Sequence, residues 1–142
     1  MVIRISLFIA ALLSAQLVVA SPQIQHWQTT NGARVYFVEA PELPMIDIKV
    51  VFDAGAARDG KLSGTALLTN AMLKEGTEGL DTDQIASAFA DVGAQFGASA
   101  ERDMAVVNLR SLTDEQILTS ALATFTKVLT LPTFPEDSFE RL

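Results

Sequence analysis

The sequence predicts an α+β domain with a largely antiparallel sheet and helices packed on one face. Three observations lead there. Ile46, Ile48, Val50 and Phe52 alternate with Asp47, Lys49, Val51 and Asp53, the period of a half-buried strand. Apolar residues recur at helical spacing over Ile85, Phe89 and Val92, and again over Leu118, Ala121, Leu122, Phe125, Val128 and Leu129. Between those two stripes the period returns to two, with Ala105, Val107 and Leu109 set against Asn108 and Arg110. The order that results is β, β, β, α, α, β, β, α, α, without the strict strand and helix alternation of a parallel sheet.

In chain order, Arg4 precedes a nearly unbroken apolar run from Ile5 to Ala20. As a helix that run would be about 24 Å long at ~1.5 Å per residue, short of the ~30 Å of bilayer hydrocarbon, so no stable membrane span is expected. Val18-Val19-Ala20 before Ser21 fits signal-peptidase cleavage, and no Cys follows to carry a lipid. The expected organisation is a signal peptide at 1–20 and one domain from 21 to 142, with an uncleaved anchor as the alternative.

Asn31-Gly32 stands between two β-prone runs in "WQTTNGARVYFVE" and predicts a hairpin closed by a two-residue type I′ turn. "APELP" is a loop, and the alternating strand follows it. "AGAARDG" is a tight, small-residue connection that lacks the glycine spacing of a phosphate cradle. Ser63 is positioned to cap a helix through "GTALLTNAMLKEGT". Asp81 with Gln84 forms a capping box for the next helix, which ends at Gly93. Glu101-Arg102-Asp103 is a charged turn between two strands, and Thr113 with Gln116 repeats the capping pattern before a third helix that stops short of Pro132. Pro135 suits the first position of a fourth helix, with Glu136 and Asp137 at the positive end of its dipole. A helix of two turns without a cap cannot stand alone, which suggests a longer domain cut at this point.

Composition excludes some functions. The chain of 142 residues carries 17 acidic and 10 basic residues, and loss of residues 1–20 would remove only Arg4, giving a net charge of −8. Nucleic acid, whose phosphates require a basic patch, is a poor partner. An exported chain with no Cys has no disulfides, so it must rely on an apolar core, and a bacterial periplasm fits that combination.

Taken together, "AGAARD", "SGTALLTNAMLKEGT", "LDTDQIASAFADVGAQFGASAERDMAVVNLRSL" and "PTFPEDSFERL" resemble the first part of the insulinase/pitrilysin family of zinc metallopeptidases, which includes mitochondrial processing peptidase. The resemblance covers nearly all of residues 26–142 and implies the N-terminal part of such a domain. Active members carry H-x-x-E-H in this first helix, where two imidazoles at i and i+4 grip zinc and the Glu polarises water. Aligning Gly64, Met72 and Gly76-Thr77 places Leu67 and Ala71 at the ligand positions and Asn70 at that of the Glu. Leu and Ala offer a metal no lone pair, and an Asn amide is no general base. The third ligand of active relatives, a Glu, would fall beyond Leu142, as would the Arg-Tyr pair that the resemblance gives to the non-catalytic subunit of bacterial two-subunit relatives.

No other residue replaces these. His26 is the single histidine, Glu75 and Glu78 read as solvated acids at a helix end, and Ser63, Thr65 and Thr69 have no base to activate them. The resemblance therefore implies a non-catalytic, exported subunit that closes a peptide-binding chamber with a catalytic sibling. No cofactor is expected in this chain, zinc is expected in the sibling, and an extended peptide is the expected substrate. Two alternatives share the same residues: the inert half of a longer active peptidase, and an envelope scaffold.

Overall fold

The computed structural model describes residues 22–142, so the expected signal at 1–20 lies outside the described residues. The described residues fall into two compact units, 22–42 and Leu43–Leu142.

In the first unit, β1 (Ile24–Gln28) and β2 (Arg34–Val38) form the expected antiparallel hairpin. The turn differs from the expected two-residue type. Gly32 has φ +90°, but Asn31 keeps a negative φ, which excludes type I′. The Thr29 N–H donates to the Ala33 carbonyl at 2.9 Å and the Gly32 N–H to the Thr29 carbonyl at 3.0 Å. The loop therefore has three residues, with glycine supplying the left-handed position.

The second unit holds a three-stranded antiparallel sheet in the order β3-β7-β6, from β3 (Met45–Phe52), β6 (Gln95–Ala100) and β7 (Ala105–Leu112). Four helices accompany it: α1 (Thr65–Met72), α2 (Thr82–Ala90), α3 (Glu115–Thr130) and α4 (Glu136–Arg141). This is the mixed, antiparallel architecture the sequence predicts. In β7 burial alternates strictly: Ala105, Val107, Leu109 and Ser111 are inside, and the residues between them reach the other face. Side chains of α2 and α3 cover the inner face, where Ile85, Phe89, Ala121, Phe125 and Val128 pack on Val107 and Leu109. Burial of that apolar surface is the main stabilising term. Phe52, expected on the core face, is exposed, because β3 ends there and the chain turns away into a 3-10 turn at Ala56–Arg58.

The capping box of α2 forms as expected: the Gln84 N–H donates to Asp81 at 2.9 Å, and the Asp81 N–H donates to the Gln84 side chain at 3.0 Å. Gly93, at φ +63°, closes the helix, with Ala94 N–H on the Phe89 carbonyl and Gly93 N–H on the Ala90 carbonyl. The cap of α3 is Asp114 and not Thr113: its carboxylate accepts from the N–H groups of Gln116 and Ile117 at 3.1 Å each. A short hairpin of β4 (Gly76–Thr77) and β5 (Leu80–Asp81) was absent from the sequence reading. Two residues per strand give no period to read. Its Thr77 hydroxyl lies 2.8 and 2.9 Å from the carbonyls of Lys127 and Leu131, so it caps the C-terminal end of α3.

On the outer face, Asp47 and Arg110 are cross-strand partners in β3 and β7, joined by two hydrogen bonds of 2.6 and 2.9 Å. The Arg110 hydrogen bonds hold the Asp47 carboxyl below the usual carboxylate range. The pair's stabilisation is present at neutral pH and is lost as pH falls through that lowered value. In an NMR titration the Asp47 carboxyl should show a midpoint below that of Arg110→Gln; equal midpoints would remove the pair from the account.

Candidate functional site

The helix at the centre of the sequence argument is α1, and its N-terminus is built by residues that precede it. The chain arrives through Gly64 at φ +92°, a backbone conformation that favours glycine. The cap is Asp59 and not Ser63. Its carboxylate accepts from the Gly64 N–H at 2.7 Å and the Ala66 N–H at 2.8 Å. An anion at the positive end of the helix dipole is favoured, and the five-residue reach back to Asp59 lies outside the local cap pattern that singled out Ser63. Asp59→Ala should cost about 1–2 kcal/mol and Ser63→Ala less than about 0.5 kcal/mol in urea denaturation. The reverse order would restore Ser63 as the cap.

Leu67, Asn70 and Ala71 lie on this helix as expected, but they do not share one environment. Leu67 is 64% exposed, Ala71 is half-buried and Asn70 is 5% exposed. The Asn70 Nδ2 donates to the Ala66 carbonyl at 2.9 Å, while its Oδ1 has no hydrogen-bond partner among the described residues. As a zinc site the trio does not fit: two members are aliphatic, and the third already has its amide turned back onto its own helix. Among the described residues no three His, Cys, Asp or Glu side chains converge on a point that could hold a metal. His26 sits in the hairpin unit opposite Tyr36.

Glu75 corrects the sequence reading. It is not a solvated acid: it is 5% exposed and receives the Arg141 guanidinium of α4 at 2.6 Å, with the Thr82 hydroxyl at 3.3 Å. No local pattern couples residues 66 apart, so this pair was invisible in the sequence. Glu78 is exposed as expected.

Two depressions flank α1. One, of about 190 Å³, lies between the β3 exit and the helix and is lined by Ala54, Gly55, Arg58, Asp59, Thr65, Ala66, Thr69 and Asn70. The other, of about 790 Å³, is apolar and lies between α1 and α4, with Leu62, Leu68, Met72, Phe134 and Phe139 on its walls. Beside α1 runs β6, which pairs only with β7 among the described residues and so keeps one edge unpaired. No helix among the described residues is long and apolar enough to cross a membrane.

Compared with known proteins, residues 34–142 match the model of the insulinase family, peptidase family M16. No curated protein matches the chain. Among solved structures it is similar to a peptidase M16 inactive domain from Pseudomonas fluorescens, with 50% identity and a TM-score of 0.82 over 84% of this chain and 29% of that one. It is also similar in fold to a protease from Helicobacter pylori, with 20% identity and a TM-score of 0.72 over 85% of this chain and 29% of that one. The chain thus spans 29% of the length of each.

Proposed function

We propose, from the premise that this chain belongs to the insulinase family of peptidases, family M16, that it is a non-catalytic member acting as an exported subunit beside a catalytic sibling. The observation that carries the reading is α1 itself, where Leu67, Asn70 and Ala71 occupy the positions that the family resemblance gives to two zinc-binding imidazoles and a general base. The inactive M16 domain at 50% identity supports it. Zinc and hydrolysis then belong to the sibling, and this chain supplies wall and binding surface. The unpaired edge of β6 supports the peptide-binding part: an extended chain can add to it as a strand through backbone hydrogen bonds alone. Residues 1–20 act in this reading as a cleaved signal that sends the protein to the periplasm, and residues 21–142 form the N-terminal part of a longer peptidase-type domain.

Affinity purification of the intact protein from its native envelope tests this. The expected result is a co-purifying H-x-x-E-H protein, with chelator-sensitive peptide hydrolysis in the complex and none in the chain alone. Recovery of the protein in a stable complex with no active relative would overturn the subunit reading in favour of a scaffold.

A further inference from the structure

We propose that Asn31 is a self-modifying site, where the Asn31-Gly32 pair loses ammonia and becomes aspartate or iso-aspartate at a rate set by opening of the Thr29–Ala33 loop. The chemistry needs an asparagine whose Cγ the next backbone nitrogen can reach. Glycine at that next position leaves the nitrogen unshielded, because it has no Cβ. The chain has three asparagines, and the structure separates them. Asn31 is exposed at the tip of the β1–β2 hairpin and precedes Gly32, itself exposed. Asn70 is 5% exposed on α1 and precedes Ala71. Asn108 lies on β7, the central strand, and precedes Leu109, which is 1% exposed. Asp59-Gly60 has the same following glycine, but an ionised carboxylate is a poor electrophile, and its two oxygens already accept the N–H groups of Gly64 and Ala66.

The reaction needs only water and a solvent base. The base takes the proton of the Gly32 nitrogen, which attacks Cγ of Asn31. The N–Cγ bond forms and the Cγ–Nδ2 bond breaks, and Nδ2 leaves with that electron pair and a proton from water, as ammonia. Water then opens the succinimide ring at either carbonyl, giving aspartate or iso-aspartate. In the closed loop Thr29 holds both reacting groups: its carbonyl accepts from the Gly32 N–H at 3.0 Å, and its hydroxyl donates to the Asn31 Oδ1. Attack therefore waits for the loop to open. Opening costs little here, because β1 and β2 pair only with each other among the described residues, and a two-stranded hairpin is marginally stable. Iso-aspartate adds a carbon to the backbone between Thr29 and Gly32, so the product does not fit the turn that held the reactant. The modification is thus an irreversible timer on the hairpin. It is independent of the sibling, so its failure would leave the subunit reading standing.

The test is incubation of the full chain in neutral buffer, with peptide mapping by mass spectrometry at intervals and an iso-aspartyl methyltransferase assay to count iso-aspartate. A capped peptide of residues 28–33 gives the rate of the unrestrained sequence. Asn31 should convert more slowly than the peptide, and at least about tenfold faster than Asn70 or Asn108, whose backbone opens only with the helix or the sheet. Thr29→Val removes the hydroxyl that bonds the Asn31 Oδ1 and the Ala33 N–H, and it should raise the rate toward that of the peptide. A Thr29→Val chain whose hairpin does not form should convert at the peptide's rate, so the variant stays informative in either case. Asn31→Gln should leave no product in the loop. Four results would each overturn the proposal: an Asn31 still intact when the peptide has converted fully, conversion of Asn31 at the peptide's full rate, conversion of Asn70 or Asn108 as fast as Asn31, or a Thr29→Val rate no higher than that of the unsubstituted chain.

Discussion

Phe125→Ala is expected to cost about 3–5 kcal/mol, a large part of the ~5–15 kcal/mol that holds a domain folded. Phe125 is 4% exposed and meets the Phe96 ring edge-on at a centroid distance of 6.1 Å, while Phe96 stacks on Phe89 at 5.1 Å. The three rings come from α3, β6 and α2, so truncating the outermost opens a cavity where two helices and the sheet meet. Phe125→Leu, which keeps most of the volume, should lose less than half as much. Urea denaturation followed by circular dichroism reads both, and a loss under about 1 kcal/mol for the alanine variant would show that this cluster does not organise the core.

Gly55→Ala should be nearly as damaging, at about 2–4 kcal/mol, although it adds one carbon. The backbone angles of Gly55, φ −80° and ψ 178°, suit any residue, so its need is for space. A Cβ there would lie 2.3 Å from the Met104 nitrogen and 2.5 Å from the Arg102 carbonyl oxygen. Both are backbone atoms, and no rotamer change relieves the clash. The loops would have to part, stretching the 2.8 Å bonds from the Ala56 and Ala57 N–H groups to the carbonyls of Glu101 and Arg102. Gly60→Ala is the control: with φ +65° and nothing within 4 Å of the added carbon, it meets only the left-handed penalty of about 1 kcal/mol. Equal losses at the two positions would contradict the close approach.

These two sites also mark what the sequence could and could not disclose. The aromatic cluster was legible, because Phe89 and Phe125 each sit in a helical stripe whose spacing names its own buried face. The need at Gly55 was not, since it arises from the turn at residues 101–104, far along the chain. The same division runs through the caps. Asp81 with Gln84 is a local pattern and was read correctly, whereas Asp59 reaches five residues forward to Gly64 and was displaced by the nearer Ser63. At α1 the identities of Leu67, Asn70 and Ala71 could be read directly against the family motif. The burial of Asn70, its orphaned oxygen and the Glu75–Arg141 pair depend on packing that no spacing encodes.

The central claim is that α1 in this family member has no zinc chemistry. Its most direct test is the zinc content per chain of the purified protein, measured by elemental mass spectrometry after equilibration with zinc and removal of loosely bound ions, with peptide hydrolysis followed in the same sample. The account predicts far less than one zinc per chain and no chelator-sensitive hydrolysis. One zinc per chain, retained together with hydrolysis that a chelator abolishes, would contradict it.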